Sequence, residues 1–178
     1  FLSFLPENSK AKRIAYASSF GTDKWEFKEN QTKICKALAK KFDAISVREK
    51  SGVTLCKEYL EVEAEHVLDP TLLNSAEVYR KVIEDNFSKE ILENEKVFAY
   101  ILDSSDAKIK IVEEIAKGLG KDKEILSCEL EMTPFMSLEE AKKLTPKSVP
   151  YWLQSISSSV FVVTDSFHGT VFSIILNR

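Results

Sequence analysis

The residues best equipped for chemistry lie together in Asp165-Ser166-Phe167-His168-Gly169-Thr170. His168 is the one side chain of the six that gains or loses a proton near neutral pH. It can serve as general acid, as general base, or as a cationic clamp on a phosphate or carboxylate. The hydroxyls of Ser166 and Thr170 can add hydrogen bonds, and Gly169 lets the backbone come close to a ligand. Upstream, Val160 to Thr164 is apolar and β-branched and reads as a central strand; downstream, Val171 to Leu176 reads as a buried helix. The free N–H groups and macrodipole at such a helix start favour an anion. A structural reading stands beside the functional one: His168 and Ser166 cap the helix and Asp165 satisfies loop amides.

Ser46-Val47-Arg48-Glu49-Lys50-Ser51-Gly52 offers a second site. Arg48 follows a buried strand and precedes a helix start, where a guanidinium can grip a carboxylate or phosphate through two bonds. The alternative is a local salt bridge from Arg48 to Glu49 or to an aspartate. Tyr16-Ala17-Ser18-Ser19-Phe20-Gly21 is a third. Its small residues, Ser18 among them, make room for a ligand or for a packed helix. Asp103-Ser104-Ser105-Asp106 reads first as a helix N-cap. His66 reads as a structural histidine, and Tyr151 and Trp152 as core residues. No cluster has the ligand density of a zinc, magnesium or calcium site.

Strands and helices must alternate to position these loops. Arg13 to Ser18, Ala44 to Val47 and Ala64 to Leu68 read as strands, the last halted by Asp69-Pro70. Between them fall two helices, one with Ile34, Leu38 and Phe42 on a face, the other with Val53, Cys56 and Leu60. Residues 71–94 are more polar, with a helix near Val78, Val82 and Ile83. The pattern then restarts. Val97 to Leu102, Glu124 to Leu130 and Val160 to Thr164 read as strands. Asp106 to Leu119, Ser137 to Leu144, Pro150 to Ser157 and the segment from Gly169 read as helices. Gly118 and Gly120 close the first of these, and a capping box at Ser137 and Glu140 opens the second.

Such alternation predicts α/β units with parallel sheets covered on both faces. The organisation expected is residues 1–75 as the end of one Rossmann-like domain, 76–95 as a hinge or linker, and 96–178 as most of a second. In open sheets of this kind ligands gather at the carboxyl ends of the strands, which is where the loops named above fall.

Bulk properties remove several function classes. Lys and Arg total 25 against 28 acids, a net charge of −3, which argues against a general nucleic-acid binder. No apolar run approaches the roughly 20 residues that span a bilayer. Cys35, Cys56 and Cys128 are odd in number and far apart, without a CxxC, which predicts a reducing cytoplasm. The first residue is Phe1 and the last are Asn177-Arg178, straight after an apolar helix-like stretch, so a fragment is the expectation.

Four segments, in order, resemble the polysaccharide pyruvyl transferase family. Arg13 to Gly21 resembles its AYAASFG strand, Ile45 to Gly52 its SVRE.SG segment, His66 to Leu73 its VLDPTLL, and Val163 to Thr170 its VTDSFHGT. The resemblance implies a GT-B-like architecture of two Rossmann-like domains, here incomplete. It implies transfer of a pyruvyl group from phosphoenolpyruvate to a sugar of a cell-surface polysaccharide or its precursor, as a pyruvate ketal. Arg48 and His168 match the positions that handle the donor; Asp165, Ser166, Gly169, Thr170 and Ser18 would line its site. No cofactor and no metal is implied. Partners would be phosphoenolpyruvate and a glycan-precursor acceptor in the cytoplasm, with peripheral membrane association where that acceptor is lipid-linked. Two alternatives stand beside this: a nucleotide-sugar-dependent glycosyltransferase of GT-B-like fold, and a non-catalytic module of a glycan-synthesis complex. A glycine-rich GxxGN-like stretch and the segment that follows the final helix in the family are absent here.

Overall fold

A computed structural model describes residues 5–6, 8–87, 95–127 and 147–178. The chain forms two compact units, Phe1–Leu73 and Asn74–Arg178. Each is α/β and each holds a three-stranded parallel sheet.

In the first unit the strands β1 (Ile14–Ser18), β2 (Ala44–Val47) and β3 (Glu65–His66) lie in the order β1-β2-β3. Helix α1 (Glu29–Ala39) connects β1 to β2. Helix α2 (Lys50–Leu55) runs on into a π-helical turn, Cys56–Leu60, before β3. Val47, Ala39, Cys56 and Leu60 form the buried core, with Cys35, Ile45 and Val53 packed against it. The face of α1 differs from expectation. Cys35 and Ala39 turn inward, while Ile34 is 60% exposed. Both helices share this one apolar cluster, and Ile14 and Tyr16 on β1 are exposed. The covering of both sheet faces expected from the alternation is therefore absent in this unit, among the described residues. The π turn ends at Glu61, which adopts the left-handed conformation (φ 52°) and pairs with Lys36 of α1 and with Lys40 at its C-terminal cap.

The second unit opens with α3 (Ala76–Glu84). Its Ile83 is buried with Phe98, Leu153, Ile156, Phe172 and Leu176, so the start of the stretch read as a hinge contributes to a core. Strand β4 (Val97–Ile101) lies between β5 (Lys123–Ser127) and β6 (Phe161–Thr164) in the order β5-β4-β6. The expected central strand was Val160 to Thr164. Instead β4 is central and β6 lies at the edge, among the described residues, with Phe161 46% exposed. An apolar run declares that a strand is buried but not which strands flank it.

Side-chain alternation along β4 builds three layers. Val97, Ala99 and Ile101 face helix α4 (Asp106–Leu119) through Val112 and Ala116. Phe98 and Tyr100 face α5 (Val149–Ser158) and α6 (Phe167–Leu176) through Leu153, Ile156, Trp152 and Phe172. Trp152 meets both Tyr100 and Phe172 edge-on, at centroid separations of 5.3 and 5.1 Å. It is a core residue, as expected. Helix α4 starts where Ser105 accepts from the Lys108 amide and ends at Gly120 in the left-handed conformation (φ 61°). The predicted helix from Ser137 to Leu144, Cys128 and the end of the strand predicted to reach Leu130 lie outside the described residues.

Candidate functional site

Strand β6 ends at Thr164, which stands opposite Tyr100 in the parallel register. The Thr164 hydroxyl donates to the Tyr100 carbonyl (2.7 Å) and accepts from the Ser166 amide (3.0 Å), turning the chain out of the sheet. Ser166 is buried and caps α6: its Oγ accepts from the Gly169 amide at 3.2 Å. Gly169 packs onto the strand it has just left. A Cβ there would sit 2.3 Å from Thr164 Oγ1. Thr170 and Ser173 donate to the carbonyls of Ser166 (3.1 Å) and Gly169 (2.8 Å). His168 thus falls in the first turn of a tightly seated helix, half-buried, its ring edge-on to Phe167 at 5.2 Å.

Asp165 ties this loop to the one after β4. Its carboxylate accepts from the amides of Leu102 (2.7 Å) and Asp103 (3.3 Å) and pairs with Lys108 Nζ at 2.8 Å. Lys108 also donates to the Asp103 carbonyl at 2.7 Å. The Leu102 amide, then the Lys108 ammonium, hold the Asp165 carboxyl down at about 2. The same partner pushes the Lys108 ammonium upward.

These two loops leave adjacent strands at their carboxyl ends, and the connections from them diverge. From β4 the chain crosses to β5 on one side, while β6 lies on the other side of β4. The gap between β4 and β6 is the topological switch point, where open α/β sheets bind ligands. His168 and Lys108 stand on the two helices that start there.

In the first unit Arg48 follows β2, and its amide donates to the Ser18 carbonyl at the end of β1 (3.1 Å). Its guanidinium donates from Nη1 to Asp69 (2.6 Å) and from Nε to Glu49 (3.4 Å). Asp69 is buried; its second oxygen accepts from the amide (3.0 Å) and hydroxyl (2.7 Å) of Thr71. Glu49 also accepts from Ser19, and His66 Nε2 lies 3.2 Å from the Arg48 carbonyl. The carboxyl ends of β1, β2 and β3 are thereby drawn onto one arginine. Both local ion pairs considered for Arg48 are present, and Ser18 lies exposed beside them.

Ser18 and Arg48 in the first unit, and Asp165 and Ser166 in the second, sit at the carboxyl ends of strands, while His168, Gly169 and Thr170 fall in the first turn of the helix that follows. Within each unit the named residues come together. Lys108, Thr164 and Asp69 are partners the sequence reading did not single out. The clue to Asp69 was its place in the His66 to Leu73 block; nothing in the sequence pairs Lys108 with Asp165, 57 residues away.

The sequence model of the family described as polysaccharide pyruvyl transferase matches residues 1–178. The chain belongs to the polysaccharide pyruvyl transferase family. Its class is therefore transferase, with a pyruvyl donor and a polysaccharide acceptor as the family's chemistry. No curated protein and no solved structure matches the chain. Among the described residues no helix is long and apolar enough to cross a membrane, and no group of His, Cys, Asp and Glu could hold a metal ion.

Proposed function

We propose that this family member transfers the pyruvyl group of phosphoenolpyruvate to two hydroxyls of a sugar in a cell-surface polysaccharide or its precursor. His168 handles protons and Arg48 grips the anion. The observation that carries this is the place of His168: the first turn of α6, at the switch point between β4 and β6. The helix start supplies partial positive charge, and the Asp165–Lys108 pair locks the two bounding loops together.

The chemistry balances on these groups. A proton adds to the methylene carbon of the enol, leaving cationic character at the central carbon. One sugar hydroxyl adds there, phosphate leaves, and the second hydroxyl closes the ketal. Two hydroxyl protons are released, one kept as the new methyl hydrogen and one carried by phosphate. An imidazolium at His168 can deliver the first proton or neutralise the departing phosphate. Arg48 offers planar donors suited to carboxylate or phosphate, with Asp69 fixing its orientation. Asp165, Ser166, Gly169 and Thr170 position the histidine. We read the reaction as cytoplasmic, with the acceptor free or presented by a lipid at the membrane surface.

Calorimetric titration with phosphoenolpyruvate tests the donor assignment. Saturable binding is expected, weakened about tenfold or more in Arg48→Ala and in His168→Ala, as for loss of a charged hydrogen bond. Equal affinity in all three proteins would remove both residues from the donor site.

A further inference from the structure

The first unit carries a pocket that neither loop site uses. Its volume is about 450 Å³. One wall is α2 and its π turn: Ser51, Thr54 and Glu58, spaced three and four residues apart so that they lie along one side of the helix, with Tyr59 next to Glu58. The other wall is the β1–α1 loop, with Asp23 and Trp25. Trp25 and Tyr59 stack with centroids 4.6 Å apart and planes 1° from parallel. The Trp25 indole is held by Thr32 Oγ1, to which it donates at 2.8 Å, and by Phe27 edge-on at 4.9 Å. The platform is therefore fixed before any ligand arrives. Tyr59 is still 38% exposed.

The π turn explains how a large aromatic reaches this position. Cys56 and Leu60 stay buried in the core, while the widened turn between them carries Tyr59 out onto Trp25. A π turn is a rare insertion in a helix and occurs often at functional sites.

We propose that this pocket is the subsite for a sugar ring of the acceptor glycan. An uncharged sugar presents C–H groups on one face and hydroxyls around its rim. A rigid aromatic platform takes the face, and the Ser51 and Thr54 hydroxyls with the Asp23 and Glu58 carboxylates take the rim. The charge of the pocket selects among ring-shaped ligands. Two carboxylates against Lys24 leave it net negative, which disfavours a nucleotide or phosphoenolpyruvate and accepts a neutral sugar. Ser51, in the first turn of α2, lies three residues beyond Arg48, so the subsite begins where the anion grip of the first unit ends. This assignment rests on the acceptor being a glycan.

The test is a titration of the protein with methyl glycosides of neutral hexoses and N-acetylhexosamines, without phosphoenolpyruvate. The indole N–H signals of Trp25 and Trp152 are followed by proton–nitrogen correlation spectra. The subsite requires that at least one glycoside shift Trp25 saturably and leave Trp152 unmoved. Tyr59→Ala should weaken that binding about tenfold or more and Tyr59→Phe should preserve it, as for a buried aromatic anchor. No saturable shift with any glycoside, undiminished binding by Tyr59→Ala, or saturation by uridine alone would overturn it. Phosphoenolpyruvate titrated into the same samples separates the two readings. Glycoside binding without donor binding contradicts the donor site only; donor binding without glycoside binding contradicts the subsite only.

Discussion

A methyl group on Gly169 would lie 2.3 Å from Thr164 Oγ1 and about 3 Å from its Cβ and Cγ2, so the first turn of α6 can seat against β6 only with glycine there. Gly169→Ala is expected to lose about 1–3 kcal/mol, as overpacking does, seen as a lower midpoint in urea. Asp165 makes the complementary electrostatic claim. Its carboxyl is held at about 2, below the ordinary 3.8, so it is charged and bonded in the folded chain while it is partly protonated in the unfolded chain near pH 4. The stability it contributes is present above that ordinary value and is lost as pH falls toward about 2. Asp165→Asn should therefore be less stable than the parent at pH 6, with the difference in melting temperature shrinking between pH 4 and pH 2. A constant difference across that range would show that the carboxylate charge is not what the loops hold. Neither partnership could be read from sequence. A strand hydroxyl and a helix glycine five residues apart look like any turn, and Lys108 belongs to a different helix from Asp165.

Helix α4 shows why some elements were legible. Ser105 and Gly120 flank a run with Val112 and Ala116 on one face, so cap, stripe and stop all agree, and the helix spans Asp106–Leu119 as expected. Its two glycines make a paired prediction. Gly120, at φ 61°, has a conformation that disfavours a Cβ, whereas Gly118 is helical with open space around it. Gly120→Ala should cost about 1 kcal/mol, and Gly118→Ala should gain about 0.5–1 kcal/mol. Equilibrium denaturation of the two variants, opposite in sign, checks the assignment of the helix end. In helix α1 the spacing of Ile34 and Leu38 predicts a stripe that the structure places one residue on, at Cys35 and Ala39. Ala and Cys weigh little in an apolar pattern, yet they let a helix approach a sheet closely. The π turn had no sequence signal either, since Val53, Cys56 and Leu60 fit an ordinary helical face.

At the scale of the whole molecule the alternation of strands and helices was enough to give two α/β units, because hydrophobic period and short connections leave few other solutions. Strand order within a sheet was beyond it. The order β5-β4-β6 depends on which strand the chain returns to, and that choice, not the apolar run of β6, creates the switch point beside His168. Family membership extends over residues 1–178, and the topology adds a switch point beside His168. Core truncation should separate folding from function here. Ile156→Ala, in the fully buried centre of the second unit, should cost about 2–5 kcal/mol of stability. His168→Ala, on a half-buried ring in the first turn of α6, should change stability by less than about 1 kcal/mol while affecting turnover.

The most direct test is phosphate release from phosphoenolpyruvate in the presence of a panel of glycan acceptors, comparing the parent protein with His168→Ala. The account predicts acceptor-dependent release that falls about 100-fold or more in His168→Ala, the scale of a lost general acid, with unaltered folding. Acceptor-dependent release at an unchanged rate in His168→Ala would contradict it.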